Sequence, residues 1–207
     1  MSDVIVHTQT LSPYGWTARI AAAEKGVSHT VRDVDTTAPE HRKLHPFGKV
    51  PVLQHGEVVV YETLAITHYI DRAFEGPALQ PVDFRGQTDM LRWISIVNGY
   101  CFAVMNGLIK ARMAVLVTGE PPDAAVLADL REQLGGQVGL IEEALSAHAF
   151  LAGSRFTLAD AFLFPQLHYA AATPEGADAL ADAPATRAWL EAMRARPSVV
   201  ATSPFAG

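Results

Sequence analysis

The alternation of apolar and polar positions divides the chain into two unlike parts. Val4–His7 (VIVH) is a short β-branched run that predicts a strand. Ser12 and Pro13 then start a helix. Serine suits the N-cap, and proline at the first helical position loses only an N–H that would have no partner there. The helix continues through Ala18, Ile20, Ala21 and Ala22, and Gly26 stops it after Lys25. The stretch HTVRDVD (29–35) alternates like a half-buried strand. A polar connection over Thr36–His45 leads to GKVPVLQHGEVVVY (48–61), two β runs joined by a tight turn at His55–Gly56. After it, Leu64, Ile66, Tyr69, Ile70 and Phe74 recur at the period of an amphipathic helix. The order so far is βαβ followed by ββα.

Beyond this point strand-like alternation disappears. Pro77, Pro81 and Gly86 punctuate a connector, and helical patterns follow over 87–117, 123–147, 157–171 and 184–195. The expected division is an α/β domain over 1–76, a linker over 77–86 and an all-helical domain over 87–207. The stretch YAAATPEGADALADAPA (169–185) mixes helix formers with breakers, and its pattern selects no element.

Composition narrows the class. The chain has 207 residues, 49% of them hydrophobic, enough for a large buried core. Its net charge is −6 with no run of Lys or Arg, so nucleic acid is not an expected partner. No basic segment followed by a long apolar core opens the sequence, and no stretch reaches roughly 18 uninterrupted apolar residues, so neither export nor a membrane is expected. The one cysteine, Cys101, excludes an intrachain disulfide and a multi-cysteine metal site. A cytoplasmic protein is the expectation.

Candidate chemistry is sparse outside the first domain. His41 and His45 are four residues apart, a spacing that can put two metal ligands on one helical face, but no Glu, Asp or Cys completes the set and Pro46 ends the helix. No metal is therefore expected. There is no Gly-rich phosphate loop and no Gly-x-Ser-x-Gly elbow. Thr157-Leu-Ala-Asp160 has the form of a capping box, with Asp in the place usually taken by Glu, and its role is structural. Cys101 lies in an apolar helical run and is expected in the core.

Five segments carry a family resemblance: SPYGWTARIAAAEKG (12–26), HPFGKVPVL (45–53), YETLAITHYI (61–70), FTLADAFLFP (156–165) and WLEAMRARPSV (189–199). In this order and spacing the chain resembles the soluble glutathione S-transferases, in particular a serine-type bacterial member. The resemblance implies a thioredoxin-like N-terminal domain that binds glutathione as co-substrate and a C-terminal helical bundle that supplies the second-substrate pocket. It also implies a homodimer whose activity is attack of the glutathione thiolate on a hydrophobic electrophile. Trp16 is similar to the tryptophan of the Ser-Ser-Cys-Ser-Trp signature of maleylacetoacetate isomerases, although Pro13 and Tyr14 stand where that motif has serine and cysteine. A glutathione-dependent isomerase, or a binding and assembly module without turnover, are the alternatives.

Glutathione sets the demands on a site. Its ammonium needs an anion, its carboxylates need donors, its peptide needs a backbone clamp and its thiol needs a device that favours the thiolate. Glu62 suits the ammonium, while the Thr63 hydroxyl and the N–H groups of the helix start suit the γ-glutamyl carboxylate. Lys49 can reach the glycine carboxylate as a point charge. The resemblance implies a cis bond before Pro51 and makes the backbone of Val50 the partner of the cysteinyl part. Ser12 is the candidate thiolate donor, because a hydroxyl at a helix start adds a hydrogen bond where the dipole already favours an anion. The tyrosine-type classes of the resemblance carry their tyrosine near the end of the first strand, where this chain has His7-Thr8-Gln9, so Ser12 ranks ahead of Tyr14. Tyr14, Tyr100 and Met105 are the expected lining of the second-substrate pocket.

Overall fold

A computed structural model describes residues 3–205, which form two compact units, one built from the segments up to Gln80 and from Ala195 onward, the other from Pro81–Arg194. The first unit is β1 (Val4–Thr8), α1 (Pro13–Glu24), β2 (Thr30–Asp33), α2 (Pro39–Leu44), β3 (Val52–His55), β4 (Val58–Tyr61) and α3 (Thr63–Ala73). The sheet order is β2-β1-β3-β4, with β1 and β2 parallel and the other pairs antiparallel. This is the thioredoxin-like βαβ-ββα order. Its core joins Val6, Val52 and Leu53 of the sheet to Ala18, Ile20, Ala21 and Ala22 of α1 and to Ile66 and Ile70 of α3, all without accessible surface. Each such Ile or Leu contributes about 1.5–3 kcal/mol relative to exposure.

Two elements differ from the sequence expectation. All four residues of β2 are exposed, so it is an edge strand and not half-buried. The polar connection contains a helix, α2, started by Pro39 at its first position.

The end of the first unit also falls elsewhere than 76. Asp71 of α3 accepts hydrogen bonds from Lys25 Nζ (3.0 Å), Leu79 N (2.9 Å) and Gln80 Nε2 (2.9 Å), while Lys25 also donates to the Pro77 carbonyl (3.1 Å). Lys25 and Asp71 are both buried. These bonds tie 77–80 to α1 and α3, so part of the expected linker is built into the unit. The last residues return as well: α10 (Pro197–Thr202) packs on α1, with Trp16 Nε1 donating to Thr202 Oγ1 at 3.1 Å. Arg196 grips Glu24 through both carboxylate oxygens, at 2.5 and 2.7 Å.

The second unit is α4 (Phe84–Ile96), a π-helical turn (Val97–Cys101), α5 (Phe102–Thr118), α6 (Ala124–Ala147), α7 (Leu158–Ala170), α8 (Pro174–Ala181) and α9 (Pro184–Arg194). Helix and π turn run without a break over Phe84–Thr118, a stretch long and apolar enough to cross a membrane by length and composition. It is instead a bundle helix, packed on α7 through α4 and on α6 and α7 through α5, with Trp93, Ile94, Val97, Val104, Met105 and Leu108 buried. α7 is buried all round from Leu158 to Leu167 and forms the centre of this unit. Its N-terminus carries the predicted capping box: Thr157 N donates to Asp160 Oδ2 (2.9 Å) and Ala159 N to Thr157 Oγ1 (3.2 Å).

Candidate glutathione site

The strand register brings three loops to one end of the sheet. His7 of β1 pairs with Val52 of β3, and Val52 pairs with Tyr61 of β4. The segment leaving β1 toward Ser12, the segment entering β3 through Lys49, Val50 and Pro51, and the segment leaving β4 into Glu62 and Thr63 therefore all lie at that end. Six residues from three separate segments of the sequence share one end of the sheet.

Ser12 is the N-cap of α1, and its Oγ accepts from Gly15 N at 3.1 Å. A hydroxyl that accepts at a cap still carries its own proton. Gly15 allows the helix to begin this close to β1, since a Cβ there would lie 2.0 Å from Thr8 Oγ1. Tyr14, next along α1, is half-buried.

The loop between α2 and β3 is held by two histidines. His41 Nε2 bonds the Lys49 carbonyl at 2.8 Å, and Phe47 N donates to His45 Nδ1 at 3.3 Å. Gly48, at φ +59, closes the turn with its N–H on the His45 carbonyl at 2.9 Å. Lys49 is exposed. The Val50–Pro51 bond is cis, as the resemblance implied. The i, i+4 histidine pair thus serves the loop. Among the described residues no group of three or more His, Cys, Asp or Glu is arranged to hold a metal ion.

Glu62 occupies the N-cap of α3, with Thr63 as its first helical residue, so the helix starts one residue earlier than a Thr63 cap would give. Its φ of +69 is the one positive value at a non-glycine among the described residues. Such a backbone costs on the order of 1–3 kcal/mol and persists where the surroundings over-determine it. The Glu62 carboxylate is largely exposed, and the buried ring of His45 lies 3.9 Å from it. Thr63 is buried at the head of a helix whose first-turn N–H groups have no intrahelical partners. Strand, turn and helix together present a carboxylate, a hydroxyl and backbone donors within two residues.

The remaining candidates lie in the second unit. Tyr100, in the π turn, is 68% exposed, and Gln137 Nε2 donates to its carbonyl at 3.2 Å. Met105 has no accessible surface and belongs to the core, which corrects its assignment as a lining residue: one turn beyond Cys101 it falls on the inward stripe of the helix with Val104 and Leu108. Burial pushes the Cys101 thiol up to about 11, so it stays protonated and unreactive at neutral pH. The residues that sequence reasoning missed are His41 and His45 as struts of the loop. Their signal was present, since two histidines stand just before the segment that leads to Lys49 and Val50.

A thioredoxin-like unit followed by a helical unit is a two-part architecture whose class the comparisons with known proteins define. Glutathione S-transferase N-terminal domains match residues 11–73, and glutathione S-transferase C-terminal domains match residues 104–197. The chain is 31% identical to glutathione S-transferase 3 of Zea mays over 96% of its own length and 92% of that protein's. A structure of glutathione S-transferase III in apo form superposes with a TM-score of 0.87 at 31% identity, covering 97% of this chain and 95% of that one. A theta class glutathione S-transferase from the citrus canker pathogen Xanthomonas axonopodis pv. citri, solved with glutathione bound, gives 0.82 at 26% identity over 96% and 95%. The chain belongs to the glutathione S-transferase family. Its activity is that of a glutathione transferase, with glutathione as co-substrate. Plant and bacterial proteins are both among its relatives, so the likeness identifies the family and not a bacterial subgroup.

Proposed function

We propose that the protein is a serine-type transferase in which Ser12 donates its hydroxyl hydrogen to the glutathione thiolate. Glu62 receives the ammonium, Thr63 and the α3 N-terminus receive the γ-glutamyl carboxylate, the backbone of Val50 clamps the cysteinyl part and Lys49 faces the glycine carboxylate. The observation that supports this reading is the register that sets His7, Val52 and Tyr61 side by side and so gathers the three loops. A free thiol titrates near about 8.5, and a charge-assisted hydrogen bond is worth about 1.5–3 kcal/mol, enough to bring the pKa close to neutrality. The thiolate then attacks the electrophilic carbon of a hydrophobic second substrate, a C–S bond forms, and the leaving group departs with the electron pair of the broken bond. Tyr14, half-buried two residues after Ser12, remains the candidate of the first unit to contact that substrate.

A homodimer and a cytoplasmic location complete the proposal. Phe47, at 70% exposed, and Val82 and Phe84, both at 86%, are apolar side chains that a second copy would cover. Sedimentation of the purified protein at a dimer mass is the expected result, and a monomer at micromolar concentration would remove this part. For the activity, the expected outcome is retention on immobilised glutathione together with conjugation of a chloro-dinitro aromatic. Retention without turnover would leave a binding module in place of an enzyme.

A further inference from the structure

The proposed site has an electrostatic contact that its chemistry has not used. The His45 side chain is 3% exposed and its Nε2 lies 3.9 Å from Glu62 Oε1, beyond hydrogen-bond reach but within strong Coulombic range. Its other nitrogen, Nδ1, accepts from Phe47 N, so the neutral ring keeps its proton on Nε2, on the side of the carboxylate. The ring also lies 5.0 Å from that of Tyr61, the residue before Glu62, and its backbone joins α2 to the loop that carries Lys49. We propose that His45 is a positioning residue for glutathione: its neutral form steadies the Glu62 carboxylate for the ammonium, and its protonated form competes with that ammonium for the same carboxylate. This inference rests on the assignment of Glu62 to the ammonium.

The charges that face His45 act in a known direction. Burial holds the ring below its ordinary 6.5, Glu62 at the head of α3 opposes that, and His41 on α2 and Lys49 in the loop reinforce it. At neutral pH the ring is uncharged and the site is competent. Acidification adds a proton at Nδ1, which removes the acceptor of Phe47 N and places a cation beside Glu62. Glutathione affinity therefore falls as pH drops through the His45 pKa. Reciprocity requires the converse: bound glutathione, through its ammonium, lowers the pKa of His45.

The experiment is a calorimetric titration with S-methylglutathione between pH 5 and 8 for the parent, His45→Asn and Glu62→Ala. Methylation of the sulfur removes the thiol from the titration, and neither the amine nor the carboxylates of this ligand change charge appreciably in this range. The parent should lose roughly two- to fivefold in affinity at the acidic end, the size of a partly exposed charge contact, while His45→Asn shows a flatter profile. Parallel profiles for parent and His45→Asn, with Glu62→Ala still weakened, would overturn the role of His45 and leave the site assignment standing. An unchanged affinity in Glu62→Ala would instead remove the assignment beneath it. Should His45→Asn fail to fold, the proton resonance of the His45 ring in the parent supplies the same answer. Its midpoint should move to lower pH when glutathione is added, and an unmoved midpoint would refute the proposal.

Discussion

At the scale of single residues, two side chains carry the site in different ways. Ser12 is both a helix cap and the proposed thiolate donor, and the two roles separate on substitution. Ser12→Ala should raise the pKa of bound glutathione by about 1–2 and slow conjugation at neutral pH by roughly one to two orders of magnitude, with a smaller change in affinity. The thiolate absorbance of bound glutathione against pH measures this directly. Superimposable titrations, with only stability lowered, would make the serine a cap and turn attention to Tyr14. Glu62 is the opposite case, a residue whose backbone is unfavourable for its own side chain. Glu62→Gly relieves the positive φ and Glu62→Ala does not. Both should weaken glutathione binding, yet glycine should leave the fold about 1 kcal/mol more stable than alanine does, the small end of what such a conformation costs. Equal melting midpoints for the two variants would mean that the φ of +69 carries no strain.

At the scale of elements, helix starts decide most of what was legible in the sequence. Ser12–Pro13 announced α1, and Thr157–Asp160 announced α7. The helices that escaped, α2, α8 and α10, are 6, 8 and 6 residues long and each begins with a proline at its first position: Pro39, Pro174 and Pro197. Proline reads as a breaker between patterns and as a starter within them, and so few residues give no periodicity to choose. Legibility also ran out on burial. The alternation in HTVRDVD is real, but an edge strand with all four residues exposed uses none of it. Asp160 shows how much a correctly read motif can understate. As a cap alone it is worth about 0.5–2 kcal/mol. In the structure it is fully buried and also accepts from Leu151 N (3.0 Å) and from Trp189 Nε1 of α9 (3.2 Å), so it joins α7 to the turn before it and to a second helix. Burial pushes its carboxyl up to about 6 even against these donors. Asp160→Ala should therefore cost more than a cap, about 3–5 kcal/mol, because buried N–H groups lose their acceptor. Chemical denaturation measures the loss, and a change below 2 kcal/mol would reduce Asp160 to a cap.

At the scale of the whole molecule, the arrangement least visible in the sequence is the return of the chain to its first unit. Local patterns report neighbours three or four residues away, whereas Trp16 and Thr202 are 186 apart. No periodic pattern in the segment from Ala195 onward signals its destination. What it does is nonetheless specific. α10 covers α1, the helix whose N-terminus is Ser12, and its bonds fall near both ends of that helix: Thr202 on the Trp16 indole near the start, Arg196 and Ser198 on the Glu24 carboxylate at the finish. Truncation after Arg194 would strip these partners from α1, expose the indole of Trp16 and leave the half-buried Glu24 without its cation. The expected result is a chain of lowered melting midpoint that is no longer retained by glutathione. A milder variant, Thr202→Val, loses the acceptor of the Trp16 indole and the bond its own hydroxyl donates to the Ser198 carbonyl at 2.7 Å, and keeps the packing. It should fall by about 1–2 kcal/mol and still bind. If the truncated chain melted and bound glutathione as the parent does, the return of the C-terminus would be a passive docking, and the position of Ser12 would depend on β1, Gly15 and α3 alone.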